Sequence, residues 1–230
     1  MGVYSNTEIK TAITAGHIVF HPYQEQHING SSVDVTLGEW FYRTDRQELS
    51  GVYNPFDQKS VKAYFGTPQR AMAQREWRLK RNMLQLANIP DDHPIIVLEP
   101  GERILAHTHE FIGIKAPGTT SMHSRSTWGR NGVAVCFDAG WGDPGYINRW
   151  TMEIYNLNQR HSVILPIGER MAQIVFHHTG DVEQQYHQLS GKYQSGVDLD
   201  KLIAGWKPEL MLPRAWKDKR TLHSTLEGTV

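Results

Sequence analysis

The 230-residue chain balances 24 basic against 24 acidic residues, so bulk electrostatics give no reason to expect a nucleic-acid partner. It holds no apolar run long enough to span a membrane, and MGVYSNTEIK has no apolar h-region, so neither a membrane anchor nor a secretory leader is expected. The single cysteine, Cys136, excludes an intrachain disulfide, which fits a cytoplasmic protein with one sizeable core.

Ser5 and Glu8 form a capping-box pair ahead of Ile9, Ala12 and Ile13, with Gly16 behind them, which predicts a short helix over 6–15. In SSVDVTLGEWFY, 31–42, Val33, Val35 and Leu37 alternate with Ser32, Asp34 and Thr36, the period of a strand. Residues 43–68 are mixed and turn-rich. QRAMAQREWRLKRNMLQLA, 69–87, lacks Gly and Pro and is rich in helix formers. It predicts a helix with a basic, solvated face, a helical insertion around 69–90.

From 94 to 178 the pattern changes. PIIVLEP, RILAHTHEFIGI, GVAVCF, WTMEIYNL, SVILP and MAQIVFHH are short β-rich runs divided by Pro-Gly, Asp-Pro-Gly and Ile-Gly-Glu. That spacing predicts a barrel, jelly roll or sandwich. The tail, 180–230, reads as an arm with little regular structure, lying over this molecule or a neighbour. The division expected is one domain over 1–204 and an extension over 205–230.

Three groups of residues could carry chemistry. His107 and His109 share a strand face and His177-His178 are adjacent, but no spacing marks a third metal ligand and neither HExxH nor CxxC occurs. These histidines are expected on the surface or in hydrogen bonds. Cys136 lies in the apolar run VAVCF and reads as a small core residue. The third group is SRSTWGRNGVAVCFDAGWGDPGYINRWTMEIYN, 124–156. Its hydroxyls, Arg125 and Arg130 could cradle an anion or form an ordinary helix start. Asp143-Pro144-Gly145 is a turn signature. Trp150, Met152 and Ile154 share one strand face; Thr151, Glu153 and Tyr155 share the other. If that second face lines a cavity, Glu153 is a desolvated carboxylate fit for proton transfer; if it faces solvent, it has no such role.

The same stretch resembles the dCTP deaminase family, which shares its fold with the trimeric dUTPases. RSTWGRNG at 125–132, AGWGDPGY at 139–146 and TMEIYN at 151–156 follow the family's core pattern without a gap. PIGERMAQIVF at 166–176 is similar to a later motif with one extra residue. SSVDVTLG at 31–38 and GKYQSG at 191–196 resemble its first and last elements. Residues 45–93 and 205–230 fall outside the likeness.

The resemblance implies a mainly β, distorted jelly-roll or barrel subunit with a few short helices, assembled as a homotrimer with active sites at subunit interfaces. It implies that Glu153 is the general base and acid of hydrolytic deamination, with Arg130 and Ser126 orienting the water. Arg125, Ser126 and Thr127 then correspond to triphosphate contacts, Ala139 to the motif alanine at the base, and Asp143 to the residue holding the 3′-hydroxyl. Tyr146 corresponds to the aromatic packed on the sugar, Gln173 to the motif glutamine, and Lys192, Tyr186 and Tyr193 to the closing arm. Mg²⁺ would arrive on the triphosphate. Zinc is not expected, because one cysteine cannot build the usual zinc-deaminase site.

The sequence also departs from the pattern. Gly140-Trp141 follow Ala139, a form similar to members that continue from dUTP to dUMP; Cys136 and Asp138 replace a frequent His and Thr; Gly196 stands where a glutamine often follows. The expected activity is conversion of dCTP to dUTP and ammonia. The alternatives are a bifunctional enzyme giving dUMP and diphosphate, and a nucleotide-binding regulator on the same fold.

Overall fold

The first helix forms as its cap predicts. In α1 (Asn6–Thr14) Ser5 Oγ accepts from the Glu8 N–H, and Glu8 Oε2 accepts from the Ser5 N–H at 2.8 Å. These details come from a computed structural model, which describes residues 2–44, 51–137, 139–189, 192–194 and 196–218. After β1 (Ile18–His21), the run at 31–42 divides into β2 (Val33–Thr36) and β3 (Trp40–Arg43). The chain passes from one sheet to another at Gly38, where a Cβ would lie 2.0 Å from the His107 ring.

Two sequence expectations give way in the next segment. The turn-rich stretch contains α2 (Gln58–Phe65), capped by Asp57, whose carboxylate accepts from the Lys59 and Ser60 N–H groups. Only Val61 and Phe65 of this helix are buried, too few to show a period. The helix expected over 69–87 is limited to α3 (Gln74–Lys80), preceded by β4 (Gln69–Arg70) and β5 (Met72–Ala73). Arg70 pairs with Trp40, and Met72 pairs with Ile95. The buried Gln74 side chain donates to the Ile89 and Pro90 carbonyls and accepts from the Leu86 N–H, so the chain must fold back across the helix. Sheet pairing and a buried amide outcompete helix propensity here.

The remaining elements are β6 (Pro94–Leu98), β7 (Arg103–Ile114), β8 (Thr119–Ser124), α4 (Ser126–Arg130), β9 (Val133–Ala134), β10 (Trp141–Gly142), β11 (Ile147–Asn156), β12 (Val163–Pro166), β13 (Arg170–His177) and α5 (Leu199–Gly205). One sheet runs β4-β3-β7-β11-β9, with β1 also on β7; a second runs β10-β8-β13-β2; a third runs β12-β6-β5. Every pairing among these named strands is antiparallel. The architecture is the expected one, mainly β with short helices. The run GVAVCF is a strand only at Val133–Ala134, because Cys136 and Phe137 turn at φ +54° and +40°. Asp138 lies outside the described residues.

The main core fills the space between the sheets with Val33, Leu37, Ile104, Met152, Ile174 and Phe176. A smaller cluster joins Tyr42, Val61, Phe65 and Leu105 to Met211 and Leu212. The tail therefore packs on this molecule, and it is more regular than expected: Asp198 caps α5, and single 3₁₀ turns follow at Pro208–Met211 and Ala215–Lys217. Of the extension expected over 205–230, residues 219–230 lie outside the described residues.

Candidate active site

The two faces of β11 separate as the alternation predicts. Trp150, Met152 and Ile154 are buried in the core, and Thr151, Glu153 and Tyr155 stand half-buried on the opposite face. Over that face lies a cavity of about 550 Å³. Glu153 and Thr151 form its floor with Leu105 and Arg103 of β7. Glu153 Oε2 is buried without a hydrogen-bond partner. Burial raises the Glu153 pKa; a hydrogen bond from its own backbone N–H and the charge of Arg103 oppose that rise without cancelling it.

One wall is the Asp-Pro-Gly turn. The Gly145 N–H donates to the Ile114 carbonyl at 2.8 Å with φ +87°, and the Tyr146 N–H donates to the Asp143 carbonyl at 2.9 Å. This directs Asp143, Tyr146 and the preceding Ala139 and Trp141 to the cavity. The Tyr146 ring packs edge-on against Trp150 and Tyr186, and burial pushes its hydroxyl pKa up.

The arm forms a second wall. Buried Gln194 accepts from the Ile147 N–H at 2.7 Å and donates to the Gly145 carbonyl at 2.8 Å, and the Tyr186 N–H donates to the Pro144 carbonyl. Tyr186 and Tyr193 thus line the cavity. The Tyr193 hydroxyl accepts from the Arg214 N–H, whose guanidinium lies over the Tyr193 ring and donates to the Lys192 carbonyl. Lys192 itself pairs with Asp218 at 3.2 Å and does not line the cavity.

Glu153, Ala139, Asp143, Tyr146, Tyr186 and Tyr193 are therefore brought together within one chain. The α4 group is not. Ser126, Thr127 and Arg130 are exposed and line no part of this cavity, while Arg125 turns to Asp34 at 3.5 Å, beside Arg170 at 3.1 Å. Gln173 donates to Ser32 Oγ on the β13–β2 pair, also away from the cavity. Sequence reasoning missed Arg103, Tyr53 and Phe65, and on the extension Met211 and Pro213, all of which line it. The period of Arg103, Leu105 and His107 along β7 could have revealed the first. Nothing in the sequence announces the others, which arrive from segments distant in the chain.

The histidines occupy packed positions. His107 is buried; its Nε2 accepts from the Trp40 N–H at 3.2 Å, so Nδ1 carries the proton and donates to the Thr108 carbonyl at 2.8 Å. Burial lowers its pKa to about 3. His109 is exposed, His177 meets Ser121 Oγ at 2.8 Å, and His178 stacks on Tyr4. Among the described residues no three or more His, Cys, Asp or Glu side chains converge on a metal position. Cys136 is 3% exposed and packed in the core.

Comparison with known proteins agrees with this geometry. The model of the dCTP deaminase-like family matches residues 3–179. A Methanopyrus kandleri protein named dCTP deaminase, dUMP-forming, is 33% identical over 199 residues, covering 84% of this chain and 91% of its own. A protein of the same name from Nanoarchaeum equitans is 28% identical over 189 residues, covering 82% and 90%. The crystal structure of 2′-deoxycytidine 5′-triphosphate deaminase from Agrobacterium tumefaciens superposes with a TM-score of 0.52 at 17% identity, covering 77% of this chain and 48% of that one, a likeness of fold. With a family match that runs from before α1 to beyond the end of β13, the chain belongs to the dCTP deaminase-like family.

Proposed function

We propose that the protein hydrolyses the 4-amino group of dCTP and carries the product on to dUMP and diphosphate. The observation that carries this reading is Glu153, a carboxylate of raised pKa with one oxygen buried and unpaired in a cavity of nucleoside size. Glu153 takes a proton from water as the water oxygen bonds to C4 of cytosine. The carboxyl passes that proton to N3, then takes the proton of the new C4 hydroxyl and delivers it to the amine. The C4–N bond breaks, ammonia leaves, and C4 becomes a carbonyl. A group that must first accept and then donate works best with a pKa nearer the working pH than an exposed carboxylate has, which burial supplies.

The expectation that the reaction stops at dUTP gives way to dUMP as product. The Ala139-Gly140 form and the names of the similar proteins favour it. Asp143, on the same cavity, would take the proton of a second water that attacks the α-phosphorus, and diphosphate would leave as the bond to the β-phosphate breaks. Tyr146 would pack on the deoxyribose, with Tyr186, Tyr193 and Lys192 toward the phosphates. Arg130 and Ser126, exposed on α4 and absent from the cavity of their own chain, would reach the cavity of a neighbouring copy in a homotrimer. Arg125 and Thr127 would meet the triphosphate there, with Gln173 adjacent to it. A Mg²⁺ arriving on the nucleotide would draw most of its ligands from phosphate oxygens and water, as this hard cation prefers.

The test is incubation with dCTP and Mg²⁺ followed by product separation. Ammonia with dUMP and diphosphate is expected. Ammonia with dUTP would restrict the activity to deamination, and tight binding without turnover would favour a regulator. Glu153→Gln should bind nucleotide but release ammonia roughly 100- to 10,000-fold more slowly. Unchanged turnover would remove Glu153 from the chemistry.

A further inference from the structure

The pairing of β7 with β11 sets Leu105 opposite Glu153 and Arg103 opposite Tyr155. Arg103 is thus the diagonal cross-strand neighbour of Glu153, a separation of about 7–8 Å between backbones that a long side chain spans. Its guanidinium is held from the far side: it donates to the Tyr155 hydroxyl at 3.3 Å and lies 5.8 Å from the Tyr155 ring centroid. Both Arg103 and Glu153 line the same cavity, and Arg103 is the one cation among the described residues that do.

The other ionisable groups facing Glu153 are neutral or negative. On the turn they are Asp143 and Tyr146; on the arm, Tyr186 and Tyr193; before α2, Tyr53; and on β11 itself, Tyr155. Arg214 is spent on Tyr193 and the Lys192 carbonyl. One oxygen of this carboxylate lacks a hydrogen-bond donor, and among the described residues the charged form that must accept the first proton is favoured by the Glu153 backbone N–H and by the Arg103 charge.

We infer that Arg103 is a positioning residue for the reaction: from within the same chain, across the β7–β11 diagonal, its charge favours the ionised form of Glu153 in the cavity, separately from Arg130. The direction of the interaction agrees, since the Arg103 charge opposes the effect of burial on Glu153. The inference rests on the proposed proton-transfer role of Glu153.

The test follows Glu153 directly. Protein labelled with ¹³C at the glutamate carboxyls is titrated by NMR, the Glu153 resonance being the one lost in Glu153→Gln. Arg103→Met and Arg103→Gln, the second able to keep a hydrogen bond to Tyr155, should titrate Glu153 at higher pH than the wild type. The acid limb of kcat/KM should move the same way, with roughly tenfold lower turnover on that limb, the size expected from removing one neighbouring opposite charge. Arg103→Lys should restore both. An unmoved Glu153 titration in the Met and Gln variants would overturn the inference, whether or not activity fell. A moved titration in a protein whose wild type does not turn over dCTP would support the Arg103–Glu153 coupling and refute the proposed reaction.

Discussion

Trp206 is the point at which the C-terminal extension is fastened over the cavity, and removing it should unfasten that wall. Its ring lies 4.5 Å from the His107 ring and 4.7 Å beneath the Arg149 guanidinium, which also sits 5.1 Å from the Phe111 ring. Six residues on, Met211 and Leu212 are buried against Val61, Phe65 and Leu105, and Met211 and Pro213 face the cavity. The aromatic contact contributes about 0.5–1.5 kcal/mol, the cation–π contact about 0.5–1, and half-burial of the indole about 1–1.5. Their sum, roughly 2–4 kcal/mol, corresponds to a 30- to 900-fold rise in the open fraction of this segment in Trp206→Ala. Amide hydrogen exchange reads it directly, because the Leu210 and Leu212 N–H groups donate to the Lys207 and Glu209 carbonyls only while the turn is formed. Exchange at those amides should quicken within that range, and the KM for dCTP should rise with little change in kcat. Exchange within about twofold of the wild type would refute the latch and leave Met211 and Leu212 to hold the segment unaided.

Three further outcomes follow from the same geometry. Arg130→Ala and Glu153→Gln should each be nearly inactive, yet a mixture reassembled from equal amounts should regain about a quarter of wild-type activity, since sites shared between two copies pair intact partners at that frequency; no recovery would place both residues in one chain's site. The folded chain refuses a proton at His107 that the unfolded chain accepts, so stability should fall as pH drops from 6.5 toward about 3. In His107→Gln, urea unfolding should depend less on pH across that window, though the variant is less stable at neutral pH; an unaltered dependence would show that His107 does not titrate on unfolding. At Gly113 a Cβ would sit 2.0 Å from the Tyr146 carbonyl oxygen and 3.0 Å from Ile147 Cα, both backbone atoms. Gly113→Ala should therefore cost at least about 2 kcal/mol and lower Tm by roughly 4–8 °C; an unchanged Tm would show that the β7–β11 pair yields at this point.

What the sequence determined by itself is what local rules determine. The Ser5–Glu8 cap, the alternation in 150–155, and the Asp143-Pro144-Gly145 turn depend on near neighbours, and each is present as read; β2 forms where 31–37 predicts a strand but is buried on both faces. The same alternation put Glu153 on the face opposite Met152, and the family resemblance implied Asp143 and Tyr146 in the same site. Only the tertiary structure decided that this face is covered. Tyr53 and Phe65, from before and within α2, and Met211 and Pro213 from the tail reach it from far along the chain, and the cover they give is what makes Glu153 a desolvated carboxylate. Tertiary pairing with β3 and β6 likewise overrode the helix propensity of 69–87. Sequence distance carries no record of such pairings. The diagonal of Arg103 and Glu153, 50 residues apart, exists because the strand register puts it there.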